Sequence, residues 1–480
     1  MDNPAKIMLV RPRTPETSRS GIVSVQYPIN IGYLASYLKA HKVSCVVRDF
    51  EVEPFSEDDF ISSLQRNTPA IVGFSCMTPH IMHAGYMADL IKKHLPGVLI
   101  VIGGVHATAI PERTLVEFPQ IDVVVMGEGE EVLLNLYQTW QTSGKIDDIP
   151  GIAFRDNFQI KVNPRNPLIT NLDHIPFPDR KLLNIDLYKK SHVTRGLSRQ
   201  VMKIAEIICC RGCPYDCIFC ASKVVHCGKL RFRSSQNIIA EIDTLINEHA
   251  IEHFSFLDDT FTSRMDILKP VCEHLKSKSV SFDCLTRVSD INEEKMALLV
   301  ACGCKKISFG IESGSPRILK LLKKRISLKQ IEDAFFLARK YKLPMTEATF
   351  LIGGHPDETL EDIEMTKALI YKIKPDIFGI FVAVPYPGTE LNSILKERGL
   401  LKEERWNEFK LFFGNPSWQL GQVPMDRLQK ISKEIIYGYY FNPIYLFSQF
   451  SKIRSFKELR YWAALGISFI KTKFQNSPSG

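Results

Sequence analysis

Short apolar runs alternate with amphipathic stretches along this chain, in two separate series. In the first series, runs at 6–10, 44–49, 70–76, 98–102 and 122–126 are spaced for strands. The stretches 31–41, 58–66, 80–95, 111–117 and 130–140 are spaced for helices, and Ile81, Ala84, Met87, Ala88 and Ile91 share one face of the third. Continuous apolar strands separated by helices belong in a parallel sheet covered on both faces. The ligand of such a sheet lies at the carboxyl ends of its strands.

The second series starts near residue 203. Its strand candidates are 203–209, 253–257, 281–285, 306–310, 345–351 and 377–384, with helices at 236–249, 266–276, 293–300, 327–340 and 360–372. Six βα units suggest a partial TIM-type (β/α)6 barrel, whose functional residues should lie at the strand C-termini. A chain of 480 residues is too long for one core. Four segments are expected. Residues 1–145 form a doubly wound, Rossmann-like α/β domain of flavodoxin-like order; a response-regulator-like domain is the alternative and would want an acidic pocket. Residues 146–200 form a proline-broken linker with a small hairpin at 151–154 and 159–162. Residues 201–395 form the partial barrel, and 396–480 a mainly helical cap.

The first strand of the second series runs into Cys209-Cys210-Arg211-Gly212-Cys213-Pro214-Tyr215-Asp216-Cys217-Ile218-Phe219-Cys220. Cys213, Cys217 and Cys220 follow the spacing C-x3-C-x2-C. Three thiolates on one short loop can hold three corners of a cubane iron–sulfur cluster and leave the fourth iron open. Electron-transfer clusters take four cysteines, so three point to chemistry at the open iron. The competing reading is a zinc knuckle or unrelated buried cysteines. Zinc wants a fourth Cys or His at a fixed short spacing, and His226 and Cys227 fit no common pattern. Cys209, Cys210, Cys45, Cys76, Cys272, Cys284, Cys302 and Cys304 read as small buried hydrophobes. No cysteine follows Cys304, which argues against an auxiliary cluster in the C-terminal region.

Other strand ends are polar or glycine-containing. The first series offers Ser75 and Thr78, then Gly103, Gly104 and His106, then Gly127, Glu128 and Gly129. Paired glycines let a bulky ligand approach the backbone. No G-x-G-x-x-G follows the first strand, which argues against a dinucleotide site. The second series offers Asp258 and Asp259, Arg287, Glu312, Gly353 and Tyr386.

The stretches PINIGYLASYLKAH, GGVHAT and VVVMGEGEE resemble the N-terminal domain of cobalamin (B12)-dependent radical SAM enzymes. The cysteine loop, GIESGS and FLIGGHPDET resemble the radical S-adenosylmethionine (SAM) superfamily, and the likeness spans residues 1–395. It implies a [4Fe-4S] cluster on Cys213, Cys217 and Cys220, with SAM chelating the open iron. Phe219 would lie toward the adenine. Asp258 and Asp259 stand where many relatives carry Gly-Gly-Glu for the methionine amino group. Arg287, Glu312 and Gly353 complete the implied SAM contacts. Ser75, Thr78, Gly103, Gly104, His106, Gly127, Glu128 and Gly129 are the implied cobalamin contacts. The D-x-H motif that supplies a lower cobalt ligand in other cobalamin domains is missing after the first strand, and His106 follows the fourth. Base-off cobalamin without a histidine ligand is therefore implied.

The implied activity is a radical methyltransferase, moving a methyl group from methylcobalamin to an unactivated carbon, or phosphorus, of a small-molecule or lipid-like substrate. The alternatives are a cyclase, ring-rearranging or lipid-modifying enzyme without net methyl transfer, and a non-catalytic cobalamin or redox sensor. An external flavodoxin- or ferredoxin-type electron donor is implied.

Composition sets outer limits. With 45% hydrophobic and 24% charged residues the chain reads as a soluble globular protein. It shows no secretory signal and no apolar run near the ~20 residues that span a bilayer. A cytoplasmic setting is expected, where twelve cysteines argue for metal or reactive thiols rather than disulfides. The net charge of +8 forms no recognised nucleic-acid module. The basic, aromatic stretch 451–474 reads as a packed terminal helix with a solvated basic face; peripheral membrane contact is the alternative. Trp406, Phe409, Phe412, Phe413 and Trp418 read as a core stripe, or else, with Tyr386, as the lining of a pocket for an apolar substrate.

Overall fold

The structure, a computed structural model, describes residues 6–14, 25–157, 159–183, 185–188, 202–409, 416 and 418–450. The segment 451–474, Phe412 and Phe413 lie outside the described residues.

The first series forms strands β1 (Ile7–Arg11), β2 (Cys45–Asp49), β3 (Ile71–Ser75), β4 (Leu99–Gly103) and β5 (Val123–Val125). They pair in parallel in the order β2-β1-β3-β4-β5, the flavodoxin-like order. Met8, Val10, Val72, Phe74, Ile100 and Ile102 face one layer of helices, and Ile7, Leu9, Ile71, Leu99 and Val101 the other. That two-sided burial explains why the strands carry no polar alternation. The expected hairpin forms as β6 (Ile152–Asp156) and β7 (Gln159–Val162), and extends the same sheet antiparallel beyond β5.

The second series opens with β8 (Ile204–Ile207), shorter than the run 203–209 that its apolarity suggests. Asp258 draws the chain out of the sheet by accepting the Cys209 and Cys210 amides at 2.8 and 2.5 Å. The diverted segment forms β9 (Cys210–Arg211), antiparallel to β10 (Arg231–Phe232). Then follow β11 (His253–Phe256), β12 (Ser281–Thr286), β13 (Cys304–Glu312), β14 (Met345–Ile352) and β15 (Ile377–Val382). These six longer strands form one parallel sheet in the order β8-β11-β12-β13-β14-β15, the expected partial barrel.

Among the described residues beyond Glu397, a short turn at Trp406–Glu408 precedes helices Met425–Tyr440 and Pro443–Phe450. Among the described residues, no helix is long and apolar enough to cross a membrane.

Candidate active site between the two sheets

The carboxyl ends of the first sheet face the cysteine loop across a cavity of about 390 Å³. Asn30, Ser75, Gly103, Gly127 and Gly129 are part of its wall on the first-domain side. Cys210, Arg211, Gly212, His226, Asp258 and Asp259 contribute from the barrel side. The Ser75 hydroxyl accepts the Asn30 amide at 2.7 Å. The glycines leave the wall open: a Cβ on Gly103 would meet nothing closer than the Val125 carbonyl at 3.6 Å, and one on Gly127 only the Val225 carbonyl at 3.9 Å. Gly104 also lines the wall, but is fixed by packing. Its φ of +98° and a would-be Cβ 2.4 Å from the Cys76 carbonyl show a turn pressed against backbone. The wall fits a bulky ligand lying along bare backbone, as cobalamin would.

Thr78 and His106 are not brought to this cavity. Both are buried, and His106 Nδ1 lies 3.2 Å from the Thr78 hydroxyl. The imidazole packs edge-on against Trp406, with centroids 4.8 Å apart, and burial pushes its pKa down to about 3. Glu128 is a wall residue, but its carboxylate serves another purpose. It accepts hydrogen bonds from Arg211 at 3.1 Å, Arg231 at 2.7 Å and the Ile169 amide at 3.0 Å. Burial pushes its carboxyl up, but the Arg231 hydrogen bond and the two guanidinium charges outweigh this and hold it below the usual range.

The cysteine loop lies beside Asp259 and Arg287. Arg287 Nη1 stands 3.9 Å from Cys217 Sγ, its guanidinium stacks on Tyr215 at 3.6 Å, and Nη2 donates to the Lys324 carbonyl. Ser222 N–H donates to Cys220 Sγ at 3.5 Å. Asp259 is exposed, accepts the Ser222 hydroxyl at 3.5 Å, and acts electrostatically on both Cys213 and Cys220. Burial raises the Cys213 thiol and pushes Cys220 up to about 11, so a cationic cluster is what would ionise them. Among the described residues, no three His, Cys, Asp or Glu side chains are grouped to hold a single metal ion. A cubane instead spreads its thiolates over separate corners, which suits three cysteines on one open loop.

The adjacent acid, Asp258, behaves differently. It is buried beneath the root of the loop, and burial pushes its pKa up to about 6 despite the two amides it accepts. Glu312 has a φ of +74° where the register of β13 shifts, and its carboxylate takes the Lys324 ammonium at 2.8 Å. Phe219 lies below that ammonium, its ring centroid 6.0 Å away. Gly353 is not in the cavity wall; the C-terminal segment covers it, and a Cβ there would meet Leu420 at 2.6 Å. Glu358, not singled out from sequence, accepts the Gly353 and Gly354 amides.

The candidate substrate residues lie elsewhere. Trp406 is buried, donates its indole N–H to Glu117 and carries the Arg113 guanidinium 4.4 Å above its ring. Phe409 packs between Trp406 and Trp418 at 5.3 and 4.6 Å, and Tyr386 reaches Phe409 at 6.3 Å. The described part of the aromatic stripe is core that docks the C-terminal segment on the first domain.

The chain matches the B12 binding domain over residues 21–137 and the Radical SAM superfamily over residues 207–370. An uncharacterized methyltransferase of Pyrococcus horikoshii is 31% identical over 91% of this chain and 93% of its own length. The anaerobic magnesium-protoporphyrin IX monomethyl ester cyclase of Cereibacter sphaeroides is 29% identical over 77% of this chain and 60% of its own. In fold, the cobalamin-dependent S-adenosylmethionine radical enzyme OxsB superposes with a TM-score of 0.73 over 97% of this chain and 71% of that one, at 16% identity. This chain belongs to the cobalamin-dependent radical SAM enzymes. Its cofactors are cobalamin, SAM and a [4Fe-4S] cluster.

Proposed function

We propose that the chain is a methyltransferase that adds a methyl group to an unactivated carbon, or phosphorus, of a small-molecule or lipid-like substrate. One observation carries this reading: the glycine-lined ends of the first sheet and the root of the cysteine loop open onto the same cavity. When bound, the reduced cluster supplies the 5′-deoxyadenosyl radical from SAM, and cobalamin supplies the methyl group. The protein's part is to bind, orient and exclude water. Cys213, Cys217 and Cys220 hold the cluster. Asp259 is the exposed carboxylate placed to take the SAM ammonium, while Phe219, Arg287 and the Glu312–Lys324 pair surround the loop. Ser75, Gly103, Gly104, Gly127 and Gly129 form the cobalamin cradle.

Cobalamin is bound base-off without a histidine ligand in this reading; the histidine in the cavity wall, His226, comes from the barrel side, and its Nδ1 lies 3.2 Å from Arg231. The electron that reduces the cluster comes, in this reading, from an external flavodoxin- or ferredoxin-type donor. The strong similarity to a protein named as a methyltransferase favours methyl transfer, and the cyclase relative keeps rearrangement as the second reading. Product counting separates them. Methyl transfer yields S-adenosylhomocysteine and 5′-deoxyadenosine in about equal amounts, because a second SAM regenerates the methyl donor. Rearrangement yields 5′-deoxyadenosine with almost no S-adenosylhomocysteine, and that result would overturn the proposal.

A further inference from the structure

A cluster of polar contacts between the two units lies at the rim of the cavity. Glu128 sits between Gly127 and Gly129, both wall residues on the cobalamin side. Its carboxylate is held by Arg211, two residues before Cys213, and by Arg231 on the partner strand of the loop's β-ribbon. Arg211 also reaches Glu130 at 2.5 Å, on the first turn of the helix that follows the glycines. Tyr33, another wall residue of the first domain, lies 5.2 Å under the Arg211 guanidinium and receives Arg233 Nη1 on its hydroxyl at 3.4 Å. Arg233 in turn holds the Ile208 carbonyl at 2.9 Å, at the point where the chain leaves the barrel sheet. The chain of contacts is continuous from the glycine cradle to the root of the cysteine loop.

These groups are largely shielded from water: the side chains of Glu128, Glu130, Arg211 and Arg231 are 5, 6, 13 and 10% exposed. Shielded ion pairs of this kind contribute little net stability, but removing one partner leaves the other charge out of water and unpaired. They therefore fix geometry. Anything that moves the 127–129 turn must move Arg211 with it, or break the pair. The converse holds for anything that orders the loop.

From this we infer that Glu128 and Arg211 are positioning residues that link the two cofactor sites thermodynamically, so that a loaded cluster tightens cobalamin binding and bound cobalamin stabilises the cluster. The inference rests on the assignment of both cofactors to this cavity. It goes beyond them in giving Glu128 a coupling role in place of a direct contact. By reciprocity the same factor must appear whichever site is filled first.

The test needs no substrate. Hydroxocobalamin is titrated anaerobically into cluster-free protein and into protein reconstituted with iron and sulfide, and the ratio of the two dissociation constants is read. The expected wild-type ratio is at least about fivefold, the low end of typical couplings. In Glu128→Gln and in Arg211→Gln the ratio falls to about one, and the double variant shows no further change. A control on the outer barrel surface, Lys372→Gln, which removes the exposed pair with Glu332, keeps the wild-type ratio. A wild-type ratio of one, or variants that keep the wild-type ratio, would overturn the inference. If Glu128→Gln binds no hydroxocobalamin at all, Arg211→Gln decides, since it keeps every first-domain side chain in place. Wild-type protein that holds neither cofactor would instead overturn the assignment beneath.

Discussion

Asp258 and Asp259 are adjacent in sequence and opposite in duty. Asp258 turns inward and fixes the root of the cysteine loop through two amides, whereas Asp259 turns outward beside the thiols. Asp258→Ala leaves those amides without their buried acceptor, at a cost of about 1–3 kcal/mol. It is expected to lower the iron content of reconstituted protein. Asp259→Ala should keep iron content and raise the KM for SAM at least about tenfold, the equivalent of one charge-assisted hydrogen bond. Equal iron loss in both variants would contradict the division. Burial also pushes Glu358 up to about 7 from an ordinary 4.5. The folded protein therefore holds that proton more tightly than the unfolded chain. The resulting stability is fully present below about pH 4.5 and is lost as pH rises toward 7, a change on the order of 3 kcal/mol. Glu358→Gln removes the dependence, so its Tm should gain on the wild type between pH 5 and pH 8; parallel Tm profiles would contradict this. The cysteine triad was legible in the sequence because its spacing is local. The inward turn of Asp258 was not, because it depends on where β8 releases the chain.

At the scale of elements, parallel strands buried on both faces are written as short apolar runs, and their boundaries in the sequence and the structure agree closely. Strand ends were legible as places but not as directions. Gly103 and Gly127 open onto the cavity, whereas Thr78 and His106 pair with each other and Gly353 is covered by Leu420. Register and a distant segment decide those directions, and no local pattern encodes them. The two neighbouring glycines make this testable. Gly104→Ala forces a Cβ against the Cys76 carbonyl at a positive φ, and the strain alone is worth about 1–3 kcal/mol. It should lower Tm. Gly103→Ala meets only ordinary contacts, so it should leave Tm unchanged while narrowing the cradle and weakening hydroxocobalamin binding about tenfold, or ~1.4 kcal/mol. Matching Tm losses in both would show that Gly103 is needed for packing alone.

For the whole molecule, two α/β units that could each be read separately are locked into one site by partners far apart in sequence. Glu128 meets Arg211 and Arg231, Trp406 meets Glu117 and Arg113, and neither set forms a motif. Trp406→Ala removes a buried aromatic that joins the C-terminal segment to the first domain, at about 3–5 kcal/mol. Faster proteolysis of the C-terminal segment is expected, with SAM cleavage retained; unchanged proteolysis would contradict this docking role. In the proposed reading, Cys213, Cys217 and Cys220 carry the cluster on which SAM is cleaved, across a cavity shared with cobalamin. The most direct measurement is 5′-deoxyadenosine formation by anaerobically reconstituted, dithionite-reduced protein carrying Cys213→Ala, Cys217→Ala or Cys220→Ala, alongside hydroxocobalamin binding. Each variant is expected to form no 5′-deoxyadenosine and to bind hydroxocobalamin with the affinity of cluster-free wild type. 5′-Deoxyadenosine formation by any of the three would rule out the triad as the cluster site.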